Sequence, residues 1–126
     1  MGAAQTRILA VSLFFLFVFV SGFGLSFLPK PFNGMLMSVH KLTSLALTGY
    51  LVYVVVQFHR SGNFSGLEWA IWAIAGFSFL VAIVSGGMIA AAPTAPTAQT
   101  AAHRIAPLTA VIATAAAFCL FLLRGR

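Results

Sequence analysis

The chain has 126 residues, of which 61% are apolar and only 6% are charged. So few charged residues cannot cover the surface of a water-soluble domain of this size, which excludes a soluble globular protein. The net charge of +6 comes from scattered basic residues without a basic run or a nucleic-acid-binding motif, so nucleic acid is not an expected partner.

Four apolar runs are each near the roughly 20 residues that are needed to cross a bilayer. We therefore predict an all-α integral membrane protein with a single domain, whose main partner is the lipid bilayer. The lone cysteine, Cys119, excludes an intrachain disulfide and a CxxC motif, and it indicates an ordinary apolar packing residue. The predicted spans cover residues 8–28, 35–58, 67–91 and 101–123.

The first predicted span changes character along its length. Its first part is rich in phenylalanine, which suits a lipid-facing surface, and its second part carries Ser21, Gly22, Gly24 and Ser26. Small residues let a neighbouring helix or a flat ligand approach the backbone closely. The apolar run continues to Leu28, so we interpret it as an uncleaved span rather than a signal peptide.

The second predicted span follows a connector that is rich in turn-forming residues, 29–34. It carries His40 and Lys41 near its start, and His59 follows its far end. The third span begins with an aromatic belt at the membrane interface, which includes Trp69 and Trp72.

The fourth predicted span follows residues 92–100, which are rich in Ala, Thr and Pro. His103 and Arg104 open it, and Pro107 removes the hydrogen bond that the His103 carbonyl would accept, so a bend is expected there. Because the connectors are short, neighbouring spans should be antiparallel, which predicts an up-down-up-down four-helix bundle.

The two halves of the chain carry the same pattern. A Val-Ser-Gly sequence ends one apolar run, a proline-marked break follows, and a His-Lys or His-Arg pair opens the next run. From Ser21 to His40 is 19 positions, and from Ser85 to His103 is 18. We therefore predict two repeated helical hairpins, residues 8–60 and 67–124, with both histidines at one end of the bundle and at similar depth. The prolines that mark the breaks are Pro29, Pro31, Pro93 and Pro96.

The repeated histidines are the candidate functional residues, because an ionisable side chain within a membrane span is costly. A neutral imidazole offers one nitrogen lone pair, and two imidazoles from facing helices can ligate a haem iron. The fourth span is lined with small residues on the His103 face, and a porphyrin is expected to fill the space that they leave. Those small residues are Ala106, Ala110, Thr114 and Ala117.

Further residues complete the predicted haem site, with His40 and His103 as its metal ligands. Lys41 and Arg104 each follow a candidate ligand and would pair with the haem propionates. Glycines of the other two spans would let the haem edges approach the backbone; they are Gly22, Gly24, Gly86 and Gly87.

Other interpretations of the histidine pair stay open. The pair could form a hydrogen-bonded structural contact or hold another metal, and Met35, Met37 or Met88 could replace a histidine as axial ligand. No carboxylate lies near the pair in the sequence, which argues against a hard cation. His59 is interpreted as a polar anchor at the membrane interface. A second haem would need more ligands at that end of the bundle than His59 and Cys119 provide.

Four spans with a duplicated two-helix unit and histidines at helix starts resemble the small membrane b-type cytochromes. The groups concerned are the cytochrome b561-like and ferric-reductase-like proteins, and the residues that carry the likeness are 38–42 (SVHKL) and 102–105 (AHRI). The resemblance implies one haem b and electron exchange with a quinone or a redox partner. Many b561-type proteins hold two haems on four ligands, whereas this chain has three histidines.

Three functions remain at the level of the sequence. The first is an electron carrier with one bis-histidine haem, and the second is a structural or assembly subunit of a larger membrane complex. The third, a haem-using or haem-handling enzyme, is less favoured because no acid–base pair, nucleophile motif or phosphate loop is present. The sequence leaves the oligomeric state open.

The distribution of basic residues gives an expected orientation. Four arginines fall on the face that holds both termini, and three basic residues fall on the opposite face. This excess favours a bacterial inner membrane protein with both termini in the cytoplasm. The first set is Arg7, Arg60, Arg124 and Arg126, and the second is Lys30, Lys41 and Arg104.

Overall fold

The computed structural model describes residues 1–92 and 94–125, and over these residues it contains four helices and no strand. All four helices are long and apolar enough to cross a membrane. The all-α fold and the four candidate spans are therefore confirmed, and the chain is an integral membrane protein. Pro93 and Arg126, which entered the proline pattern and the charge count, lie outside the described residues. The helices are α1 (Ala3–Ser26), α2 (Gly34–Ser61), α3 (Gly66–Ala91) and α4 (Thr97–Leu123).

Helices α1 and α4 begin several residues before the predicted spans, whereas α2 and α3 begin one residue before them. Helix α1 begins at Ala3, and the Gln5 side-chain oxygen caps it by accepting a hydrogen bond from the Gly2 N–H at 2.8 Å. Helix α4 begins at Thr97, directly after Pro96, and continues through Pro107. Intrahelical hydrogen bonds do not require apolar side chains, so a helix can extend beyond the apolar run that marks its membrane span.

The chain divides into two compact units, Met1–Val56 and Gln57–Arg126. In the first unit, α1 and α2 run antiparallel, because Ser21 contacts His40 while the Phe14 ring lies 5.9 Å from the Tyr50 ring. The buried apolar residues of this unit are Val11, Leu25, Leu47, Leu51 and Val54.

In the second unit, α3 and α4 also run antiparallel. The rings of Trp72 and Phe118 lie 5.8 Å apart, and Ser85 contacts His103 toward the other end of the pair. The final residues of α2 belong to this unit. Among them, Phe58 is buried, and its ring stacks on Phe121 with centroids 3.8 Å apart and planes inclined by 12°.

Large apolar side chains are exposed along all four helices. Examples are Phe23 (66% exposed), Leu42 (66%), Phe77 (68%) and Ile112 (70%). Such a surface would be unfavourable in water, whereas in a bilayer it faces lipid. Cys119 is exposed as well, so it lies on the outer surface of α4 rather than in the core.

Candidate functional site

His40 lies in the second turn of α2, with its ring against α1. Its Nδ1 atom is 3.0 Å from Ser21 Oγ, and the Ser21 hydroxyl donates its own proton to the Val18 carbonyl at 3.1 Å. With its one proton given to the Val18 carbonyl, the Ser21 hydroxyl acts as an acceptor toward His40. In this arrangement the ring proton of His40 is placed on Nδ1 and its lone pair on Nε2.

His103 makes the corresponding contact in the second hairpin. Its Nδ1 atom lies 2.9 Å from the Ala82 carbonyl oxygen, which can only accept a hydrogen bond. Ser85 Oγ is a second neighbour at 3.4 Å, and its hydroxyl donates to the Val81 carbonyl at 2.6 Å. His103 is therefore assigned the same tautomer as His40, with the proton on Nδ1 and the lone pair on Nε2.

A glycine follows the serine in each hairpin and leaves room for the histidine ring. A Cβ atom at Gly22 would lie 2.8 Å from His40 Cε1, and one at Gly86 would lie 2.6 Å from His103 Cε1. Both distances are well inside ordinary van der Waals contact, which begins near about 3.5 Å for carbon atoms. In this structure these two glycines accommodate the histidine rings themselves.

The other two glycines predicted at the site have no such close neighbour. A Cβ atom at Gly24 would make an ordinary contact of 3.8 Å with Leu36, and one at Gly87 would have no described atom within 4 Å. The glycine pattern therefore divides into two positions that adjoin a histidine ring and two that do not.

The remaining predicted site residues differ in their exposure. Lys41 and Arg104 are exposed, and both histidines are half-buried. The small residues that line the His103 face of α4 are buried, with exposures of 7% or less. The buried set is Ala106, Ala110, Thr114 and Ala117.

An open groove of about 410 Å³ lies beside the His103 contact. Ser85 contributes to its wall, as does Ala102, which directly precedes His103. The other lining residues are apolar except for one glutamine, so His103 lies near an apolar surface. They are Leu80, Val81, Val84, Met88, Ala98 and Gln99.

His59 differs from the other two histidines. Its Nδ1 atom accepts a hydrogen bond from the Phe64 backbone N–H at 3.2 Å, so its lone pair is already used and its proton belongs on Nε2. Its ring also packs against the rings of Phe64 and Trp69, at 5.1 and 5.2 Å between centroids. His59 thus holds the connection between α2 and α3.

A buried ion pair at the start of α3 was not predicted. Glu68 is 1% exposed, and its Oε2 atom accepts hydrogen bonds from Arg124 Nη1 at 2.6 Å and from the Ser65 N–H at 2.7 Å. Arg124 Nη2 also donates to Ser65 Oγ at 3.0 Å, which ties the end of α4 to the start of α3. The Ser-x-x-Glu spacing at 65–68 is a capping-box signal, whereas the partner Arg124 is 56 positions away from Glu68.

The hydrogen-bonding role of Ser21 and Ser85 was also missed. Both serines were part of the repeated Val-Ser-Gly pattern, but they were grouped only with the small residues. The signal was the nearly equal distance from each serine to its histidine, 19 and 18 positions. Because each pair lies on adjacent antiparallel helices, equal spacing around a similar connector predicts equivalent contacts.

Comparison with protein-family models, with curated proteins and with solved structures finds no match for this chain. Within residues 1–92 and 94–125, no group of three or more His, Cys, Asp or Glu side chains is placed to hold a metal ion. A bare zinc ion takes three or four protein ligands, whereas haem brings four nitrogen ligands of its own and needs only one or two from the protein.

Proposed function

We propose that this chain is a membrane b-type cytochrome in which His40 and His103 ligate one haem through their Nε2 atoms. The observation that carries the proposal is that Nδ1 of each histidine contacts the serine of the Val-Ser-Gly pattern in its own hairpin. In both, Nδ1 contacts a serine hydroxyl whose proton is donated elsewhere, and the ring edge adjoins the next residue, a glycine. Equivalent contacts at equivalent positions support two repeated hairpins.

The tautomer of both histidines suits a metal ligand. A histidine that binds a metal through one nitrogen usually donates the other N–H to a carbonyl, carboxylate or water, which fixes the ring and raises its basicity. His103 donates to a backbone carbonyl, and His40 donates to a hydroxyl. The support for the proposal is therefore the hydrogen bond that each histidine donates within its own hairpin.

When bound, haem supplies a one-electron ferric–ferrous couple for exchange with a quinone or a redox partner protein. The residues of the chain hold and orient it. The imidazoles provide the axial nitrogens, and the exposed basic groups of Lys41 and Arg104 supply charge that can pair with propionates. We also propose that the protein lies in the bacterial inner membrane with both termini in the cytoplasm, because more basic residues are expected on the face that holds the termini.

The visible spectrum of the purified protein tests this proposal. The protein is purified in detergent, titrated with haem and reduced, and a sharp Soret band with resolved α and β bands is expected. His40→Ala and His103→Ala should each abolish or strongly alter the bands, whereas His59→Ala, in which the lost lone pair was already used, should retain them. The proposal fails if the wild type stays colourless in excess haem, or if both ligand variants keep the full spectrum.

The second candidate function is a structural or assembly subunit of a larger membrane complex. The observation that favours it is that both histidine rings already join two helices without any cofactor, through Ser21 and through Ala82 with Ser85. In that case His40→Ala and His103→Ala would lower the stability of the haem-free protein, and the wild type would bind no haem. The haem titration separates the two functions.

A further inference from the structure

The two serines that contact the histidines are buried and held in place. Ser21 is 6% exposed and Ser85 is 5% exposed, so water does not compete for their hydroxyl groups. Each hydroxyl is anchored by donating its proton to a carbonyl of its own helix, Val18 for Ser21 and Val81 for Ser85. A hydroxyl anchored in this way directs its oxygen lone pairs to the side, toward the neighbouring helix.

Each serine and the glycine that follows it act on the same ring. Ser21 contacts Nδ1 of His40 at 3.0 Å while Gly22 faces its Cε1 edge, and Ser85 with Gly86 repeats this arrangement on His103. One residue supplies a hydrogen-bond acceptor, and the next supplies steric clearance. A serine-to-alanine change therefore removes the acceptor without adding bulk, which makes the electronic role separable from packing.

We propose that Ser21 and Ser85 are positioning residues, a role that rests on the proposed haem function. The Ser21 hydroxyl accepts the Nδ1 proton of His40, whereas the Ser85 hydroxyl is a second, weaker acceptor for His103 beside the Ala82 carbonyl, and both contacts set the donor strength of Nε2 toward the iron. Accepting this hydrogen bond gives the imidazole more electron density. A more basic axial ligand stabilises ferric haem over ferrous haem, and the reduction potential falls as a result.

The contacts that remain after a serine is removed limit the loss of haem affinity. His103 keeps the Ala82 carbonyl as an acceptor in Ser85→Ala, so its tautomer is retained and only the strength of the contact changes. Loss of an outer-shell partner typically lowers metal affinity about 10- to 100-fold. We expect about a 10-fold loss of haem affinity for Ser85→Ala and for Ser21→Ala, with a higher reduction potential in both.

The chain offers a matched control. Ser26 lies on the same helix as Ser21 and donates to the carbonyl three residues earlier, Phe23, at 2.7 Å, but it is exposed. Ser26→Ala removes a hydroxyl of the same local geometry that has no contact with a histidine among the described residues. Ser21→Thr and Ser85→Thr keep the oxygen and serve as rescue variants.

The first measurement needs no haem. Nitrogen NMR of the histidine-labelled, haem-free protein in detergent should show protonated Nδ1 in His40 and His103, and protonated Nε2 in His59. Ser21→Ala and Ser85→Ala should shift the Nδ1 resonance of the histidine that each contacts, while Ser26→Ala shifts neither. Protonated Nε2 in His40 and His103 of the wild type would overturn the proposal.

The second measurement uses the haem-loaded full chain, with helix content checked by circular dichroism. The potential and the haem affinity of Ser21→Ala and Ser85→Ala should change in the expected directions, and the threonine variants should return toward the wild type. If the wild type binds haem and the alanine variants match Ser26→Ala, the positioning role fails while the haem function stands. If the wild type binds no haem, the haem function itself fails and this role falls with it.

Discussion

Two adjacent glycines of α3 allow the histidine contact to be tested by a pair of closely matched substitutions. In Gly86→Ala the new Cβ would lie 2.6 Å from His103 Cε1 and 3.0 Å from Nδ1. Ordinary contact requires about 3.5 Å or more, so the ring has to move by about 1 Å. In Gly87→Ala the new Cβ would meet no described atom within 4 Å.

The two substitutions are expected to change the free energy of unfolding differently. Displacing the ring stretches the 2.9 Å hydrogen bond from His103 Nδ1 to Ala82 beyond bonding distance, which costs about 1 kcal/mol, and overpacking costs about 1–3 kcal/mol. Alanine regains up to about 1 kcal/mol of helix propensity at either position. Gly86→Ala should therefore be destabilised by about 1–3 kcal/mol, whereas Gly87→Ala should be neutral or stabilised by up to about 1 kcal/mol.

Denaturant unfolding of the haem-free variants in detergent, followed by circular dichroism, measures this difference. The haem titration of the same two variants gives a second readout, since only Gly86→Ala should weaken binding. Equal stability of the two variants, or a larger loss in Gly87→Ala, would show that the His103 ring does not occupy the space beside Gly86, and the reasoning would be refuted.

Three further predictions concern contacts away from the candidate ligands. A double-mutant cycle on Glu68→Gln and Arg124→Gln should give a coupling free energy of about 1–2 kcal/mol, since the carboxylate is buried while the Arg124 side chain is 36% exposed. Denaturant unfolding of the wild type, the two single variants and the double variant measures this coupling, and additive effects would contradict the ion pair. His59→Phe keeps a ring at this position but leaves the Phe64 N–H without its acceptor, so a loss of about 1–2 kcal/mol is expected without a change in the haem spectrum. Phe58→Ala removes a side chain that is 1% exposed and should cost about 3–5 kcal/mol in the same unfolding assay, so a change below about 1 kcal/mol would mean that this ring is not packed as described.

The helices could be predicted because their signal is local. An apolar run that is long enough to cross a bilayer needs internal hydrogen bonding, and a helix satisfies it without reference to the rest of the chain. The ends were less well predicted, as α1 begins at Ala3 rather than at residue 8, and α4 begins at Thr97 rather than at residue 101. Membrane thickness determines the length of the apolar run, whereas capping groups and prolines determine where the helix itself begins.

The equal spacing of the two histidines from Val-Ser-Gly was the strongest non-local signal in the sequence. It singled out His40 and His103, and it included Gly22 and Gly86, but the physical reason assigned to the glycines was incomplete. They were expected to admit the edge of a cofactor, and in the structure each adjoins a histidine ring. Which atom fills a space beside a glycine depends on the partner helix, and a pattern along one helix cannot specify it.

The sequence by itself determined that this is an all-α membrane protein with one histidine near the start of the second helix in each half, because composition, run length and spacing are properties of the chain alone. The tertiary structure decided how those histidines are held. Only when α1 meets α2 does Ser21 reach Nδ1 of His40, and only when α3 meets α4 do the Ala82 carbonyl and Ser85 reach Nδ1 of His103. The same holds for the burial of the α4 alanines and for the pairing of Glu68 with Arg124, since each depends on atoms that lie far apart in the sequence.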